Sequence, residues 1–204
     1  MPGRFFLLSP ANCRGLRARQ VLSPKATFAV AARLRSQEGV PIGQLFAHMS
    51  GLYFRGKLTY ALRFGHVFVI TPDRGLVPAD TPVTRDVLVR FGAADIHLDN
   101  LSYRTPLETT ARALAQHAEE DAEFVLLGSV ASAKYVDILG AIFGSRLVFP
   151  SDFVGRGDMS RGGLLLRAAA AGQELRYEPV IGAVRHGVRP PKLEPIRSLR
   201  LSRS

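Results

Sequence analysis

An α/β fold is predicted here, a single domain with a mostly parallel central sheet of about five strands flanked by helices. Two observations predict it. The strand-like runs Phe5 to Leu8, Val67 to Ile70, Phe124 to Gly128 and Arg146 to Phe149 are apolar along their length rather than alternating, as in strands covered on both faces. Segments with helical spacing separate them, the order that builds parallel sheets between helix layers. At 204 residues the chain suits one domain, set at 1–182, followed by a basic Pro/Arg-rich tail at 183–204 whose lack of periodicity leaves it without a packed core.

Each element has its own signal. Phe5 to Leu8 closes at Ser9-Pro10-Ala11; this run is too short for a signal-peptide core, so a first buried strand and a cytoplasmic protein are expected. Arg14 to Arg19 reads as a basic loop or short helix, and Thr27 to Arg35 as an Ala-rich helix stopped near Gly39 and Pro41. Ile42 to Phe64 has helical spacing interrupted by Gly51 and Gly56, so one helix or two are equally compatible. Val67 to Ile70 ends in the turn Thr71-Pro72-Asp73-Arg74-Gly75. Asp86 to Phe91 suits helix or strand, and Asp95-Ile96-His97-Leu98-Asp99 alternates like an exposed strand. Thr105 to Glu120 reads as a helix opened by Thr105-Pro106, with Glu108 three residues after Thr105 as in a capping box. Ser132 to Phe143 is an amphipathic helix stopped at Gly144. Leu164 to Ala171 is a further helix, and Glu174 to Val180 a closing strand.

Charge is unevenly distributed in a chain of formal net charge +10. Residues 1–37 carry seven Lys/Arg and no acid, residues 73–123 carry ten acids against five bases, and residues 183–204 carry six Lys/Arg and one acid. A cationic side suited to a polyanion such as nucleic acid follows. The run Gly155-Arg156-Gly157-Asp158-Met159-Ser160-Arg161-Gly162-Gly163 concentrates the argument. Glycines permit a close backbone approach, Ser160 is placed to cap the next helix, and two guanidinium groups suit phosphate. It lacks the Gly-Lys-Ser/Thr ending of a P-loop, and neither a dinucleotide-binding Gly-x-Gly-x-x-Gly nor a Gly-x-Ser-x-Gly elbow occurs.

Five motifs, in order, resemble the YaaA-like family of bacterial proteins. They are Leu8-Ser9-Pro10-Ala11, Phe54-Arg55-Gly56-Lys57-Leu58-Thr59-Tyr60, Gly75-Leu76-Val77-Pro78, Ser132-Ala133-Lys134-Tyr135 and Arg156-Gly157-Asp158-Met159-Ser160-Arg161. The last is the most specific. The likeness runs as islands from residue 8 to about 170, and Asn12 stands where the family usually has Lys. The resemblance implies an α/β core, contact with DNA or nucleotide, and a link to peroxide stress.

The expected function is therefore binding of DNA or another phosphate-rich ligand, through Arg55, Lys57, Lys134, Tyr135, Arg156, Gly157, Ser160 and Arg161. Tyr53 or Tyr60 would stack on a base. The alternative is an enzyme acting on a nucleotide, nucleoside or damaged base. It would use the 155–163 loop as phosphate cradle, Tyr135 as stacking aromatic, and Asp158 and Asp73 as the candidate acid/base groups. A third class, a protein-interaction module, would use the basic tail. Asp95, His97 and Asp99 would share one face of a strand, as a metal site, a polar acid/base cluster or simply a solvated edge, the last being preferred. The remaining histidines lack ligand spacing, and neither a metal nor a cofactor is expected. Cys13, the only cysteine, excludes an intrachain disulfide; its neighbours Arg14, Arg17 and Arg19 would favour a thiolate if it were exposed, and burial would make it inert.

Overall fold

The computed structural model describes residues 3–130, 132–191 and 193. In chain order, β1 (Arg4–Leu8) leads to α1 (Leu16–Leu22) and α2 (Ala29–Arg35). A two-residue strand β2 (Val40–Pro41) precedes α3 (Ile42–Ser50) and α4 (Leu52–Phe64). The break between α3 and α4 falls at Gly51, whose φ of 65° is a conformation glycine adopts without cost. β3 (His66–Thr71) turns back into β4 (Gly75–Pro78), a strand not foreseen from the sequence. Thr71 closes that turn, with Oγ1 donating to the Gly75 carbonyl at 2.9 Å and accepting from Arg74 N at 3.0 Å. β5 (Pro82–Val83) pairs with β2, and α5 (Arg85–Ala93) is the segment whose type was open.

α6 (Leu101–His117) starts four residues before the expected Thr105. Asn100 is its cap, its side-chain oxygen accepting from Ser102 N at 3.1 Å, and Pro106 lies in the second turn, where it removes only the amide that would reach Ser102. The expected strand at 95–99 is instead an irregular loop with no partner strand, in which His97 Nδ1 and Asp99 Oδ2 lie 3.3 Å apart. Among the described residues no group of His, Cys, Asp and Glu is arranged to hold a metal.

β6 (Glu123–Leu127), α7 (Ala133–Phe143) and β7 (Leu147–Pro150) follow closely as expected. α8 (Asp158–Ala171) does not: it begins at Asp158 rather than Leu164, so much of the predicted glycine loop is helix. Gly157 occupies the cap position and Ser160 lies in the first turn, so Ser160 is not the cap. β8 (Tyr177–Pro179) is shorter than the run 174–180 read from the sequence. Residues 183–191 have no regular secondary structure, yet Gly187 and Val188 pack on Val154 and Gly155; the rest of the tail, apart from Leu193, lies outside the described residues.

The sheet order is β4-β3-β1-β6-β7-β8. The four inner strands are parallel, and the outer two antiparallel. Phe6 and Leu8 point into a core built with α1, α3, α4, α5 and α8, whereas Leu7 and Phe124 point into a second core under α6 and α7. This is the predicted single α/β domain. No helix among the described residues is long and apolar enough to cross a membrane.

From β1 the chain moves out to β3, then crosses back over β1 to β6 and β7. The crevice of such a sheet opens where the direction reverses, beyond the carboxyl ends of β1 and β6. Because the four inner strands are parallel, the loops leaving β1, β3, β6 and β7 all emerge on that one edge.

Candidate functional site

At the reversal point Ser9 follows β1 and Gly128 follows β6. Ser9 N donates to the Leu127 carbonyl at 3.2 Å, and a Cβ on Gly128 would stand only 2.8 Å from Ser9 Cβ, so the two strand ends touch. Lys57 reaches this junction from α4. Its Nζ donates to the Ser9 carbonyl at 2.7 Å and lies 3.0 Å from Ser9 Oγ, between the rings of Tyr53 and Phe54, each 4.7 Å away.

Helical spacing explains the placement. Tyr53, Lys57 and Tyr60 share the stripe of α4 that faces the sheet, along with Phe54 and Ala61. Lys57 is 2 % exposed, and its loss of hydration lowers the ammonium to about 7, partly opposed by the Asp158 carboxylate. Lys57 is therefore not one of the surface cations expected to meet phosphate. Tyr53 and Tyr60 are buried too and cannot stack on a base. Burial pushes the Tyr53 phenol up, and its oxygen lies 3.5 Å from the Gly128 carbonyl oxygen.

The Arg156/Arg161 loop lies beside this junction, at the exit of β7. Arg161 donates from Nε and Nη2 to the Phe153 carbonyl at 3.2 and 3.0 Å, sits over the Phe153 ring, and has Asp158 Oδ1 3.9 Å from Nη1. Arg156 donates to the Asp152 carbonyl at 3.0 Å, to Ser160 Oγ at 3.3 Å and to the Pro191 carbonyl at 3.4 Å. Both guanidinium groups thus brace the loop as well as charging it. Gly157 at the helix cap has open space around it. Between the start of α8 and residues 189–191 with Leu193 lies a cavity of about 310 Å³, lined by Arg156, Arg167, Arg189, Ser160, Leu52 and Met159. No Asp or Glu among the described residues lines it. Arg55 is exposed on α4, three residues after Leu52 and so on the same face.

A second cavity, of about 340 Å³, opens where the exits of β1, β3 and β6 meet. Asn12, Arg14, Pro72, Asp95, Lys134 and Tyr135 are in its wall. Lys134 Nζ stands 5.3 Å from the Tyr135 ring, and burial raises the Tyr135 phenol to about 12. Arg14 is committed to the end of α5, donating to the carbonyls of Gly92, Ala93 and Ala94. Asp73 lies between Arg74 and Arg90, at 3.7 and 3.6 Å. Cys13 is buried, and desolvation raises its thiol to about 12, so the neighbouring arginines do not produce a thiolate.

The sequence reading missed the pairing of Ser9 with Lys57. Its signal was available in part: Lys57 has Tyr53, Phe54, Tyr60 and Ala61 at the four helical neighbour positions, a buried environment for any side chain. The fold and site define a three-layer α/β protein whose parallel strands run in the order second, first, third, fourth, with polar side chains gathered at the reversal. Comparison of the chain with protein-family models, with curated proteins and with solved structures finds no match in any of the three.

Proposed function

We propose that the protein binds DNA or another phosphate-rich ligand on the face formed by α4, the start of α8 and residues 187–191. The observation that carries this reading is the cavity walled by Arg156, Arg167 and Arg189 at the amino end of α8, with no carboxylate among its described lining residues. Fixed guanidinium groups and a helix amino end act in the same direction on an anion. The net charge of +10 and the resemblance to the YaaA-like family support the same class of ligand, and a cytoplasmic protein with a part in the stress response belongs to this proposal. A salt titration of fluorescent single- and double-stranded DNA is the test: log K falling linearly with log salt is expected, and no binding, or binding without a slope, overturns the reading.

The second reading, an enzyme acting on a nucleotide, nucleoside or damaged base, is favoured by one observation: the 340 Å³ cavity at the strand reversal, with Lys134 and Tyr135 in its wall. A nucleotide and nucleoside screen by thermal shift tests it. A hit that survives Tyr135→Phe but not Lys134→Ala points to phosphate capture, and no hit removes this reading.

A further inference from the structure

We propose that Ser9 is an activated nucleophile and Lys57 its general base, forming a pair built for acyl transfer from an uncharged ester or thioester. This inference does not depend on nucleic-acid binding.

Three geometric observations converge on it. Lys57 Nζ lies 3.0 Å from Ser9 Oγ, hydrogen-bonding distance. The same nitrogen donates to the Ser9 carbonyl at 2.7 Å and, as the ammonium, also to Ser9 Oγ; in the neutral amine one N–H stays on the carbonyl and the lone pair is free to accept from the hydroxyl. The pair stands at the strand reversal, where such sheets place ligands, and the 340 Å³ cavity begins at the very next residues, Pro10 and Ala11. Ser9 is 9 % exposed and Lys57 2 %, so Ser9 is the less enclosed of the pair, one residue from the cavity wall.

The surroundings choose the substrate class. Beside Ser9 the base lies between two aromatic rings, and the cation nearest the hydroxyl is Lys57 itself, which must be neutral to accept a proton. Arg161 is occupied by the Phe153 carbonyl. With Lys57 neutral the pair itself carries no charge to balance a phosphoryl group, whereas an acyl carbon brings none.

The step balances. Ser9 Oγ bonds to the acyl carbon while its proton passes to Nζ; the bond from carbon to the leaving group then breaks, and that group departs with the electron pair and the proton from Nζ. Water, deprotonated by Nζ, adds to the acyl carbon, the Oγ–carbon bond breaks, and Oγ recovers its proton as the carboxylic acid leaves. The desolvation that lowers the Lys57 ammonium to about 7 lets the neutral amine be present at neutral pH. The charged groups facing it from α8 are Asp158, which opposes this lowering, and Arg161, which acts on Tyr53. The phenols of Tyr53 and Tyr135 are both raised by burial and stay neutral in the range concerned.

The experiment uses the full chain with phenylmethanesulfonyl fluoride, an uncharged probe that loses fluoride to an activated serine, read by intact mass and peptide mapping. One adduct on Ser9 is expected, absent in Ser9→Ala. Its rate should rise tenfold per pH unit below an inflection near 7 and level above it, and fall at least ~100-fold in Lys57→Met. Should Lys57→Met fail to fold, the wild-type pH profile decides alone. A lysine that merely caps the Ser9 carbonyl gives no Ser9 adduct or a profile without that inflection, and either result overturns the proposal, as does a folded Lys57→Met labelled at the wild-type rate.

Discussion

Gly56 of α4 and Gly162 of α8 meet where the two helices cross, so closely that a Cβ on Gly56 would stand 2.6 Å from the Gly162 carbonyl oxygen. Neither position has room for a methyl group. The glycines that looked like loop residues are what lets α8 lie on α4, and this close crossing sets Asp158 and Arg161 near Lys57 and Tyr53.

Gly162→Ala should therefore destabilise the fold. Its Cβ would meet backbone atoms, Leu52 O at 2.8 Å and Tyr53 Cα at 2.9 Å, which cannot rotate away. Overpacking of this kind costs about 1–3 kcal/mol. The neighbouring Gly163→Ala meets only Leu193 Cδ1 at 3.5 Å, an ordinary contact, and gains up to ~1 kcal/mol of helix propensity. Urea midpoints of the two variants should move in opposite directions; a common direction contradicts the crossing.

Lys57 should give the protein a pH-dependent stability. Its folded value of about 7 lies below the ordinary 10.5 that it regains on unfolding. Between these values the unfolded chain holds a proton that the folded chain does not, so stability rises with pH, by at most ~1.4 kcal/mol per unit. The contribution is complete above the ordinary value and is lost as pH falls through 7. Cys13, raised in the fold, acts in the opposite sense above its ordinary 9.0, so the window to use is pH 7 to 9. Urea unfolding of wild type minus Lys57→Met should rise across it; parallel curves would remove the buried ammonium from the account.

Cys13 should resist alkylation in the native state. With its thiol raised to about 12, iodoacetamide at pH 8 should label it only after denaturation, at rates differing by more than about 100-fold on the reactivity of the thiolate alone. Fast native labelling, read by intact mass, would restore the redox role that its arginine neighbours suggested.

How far the sequence spoke for itself depended on whether a signal was local. The runs at Phe5, Phe124 and Leu147 became inner parallel strands because nothing but burial on both faces explains an unbroken apolar segment. Gly51 and Gly144, both at positive φ, marked real helix ends. β4 was missed because four residues ending in Pro78, next to a strong turn, carry no pattern of their own. The start of α6 was misplaced because Thr105-Pro106 is a good opening signal that loses to Asn100, whose cap is made. α8 was begun too late because glycine disfavours helix in isolation, and only the facing α4 reverses that preference. The burial of Lys57 could be read from its neighbours, but its partner Ser9 could not, since that contact depends on how α4 packs across the sheet.

The cationic face should reveal itself through the salt dependence of DNA binding. Each phosphate neutralised adds about 0.9 to the slope of log K against log salt for a duplex. Arg55 is exposed and Arg189 lines the groove at the start of α8, so Arg55→Ala and Arg189→Ala should each lower the slope by about one, with little change in preference among sequences. Arg156→Ala should do the same and also loosen the loop, because its guanidinium joins Asp152, Ser160 and Pro191. Arg112 is the control: it pairs with Glu108 at 3.1 Å on α6, within the acid-rich middle of the chain, and Arg112→Ala should leave the slope unchanged. A slope that falls equally for Arg112 and Arg189 would mean that net charge, rather than this groove, attracts the polyanion.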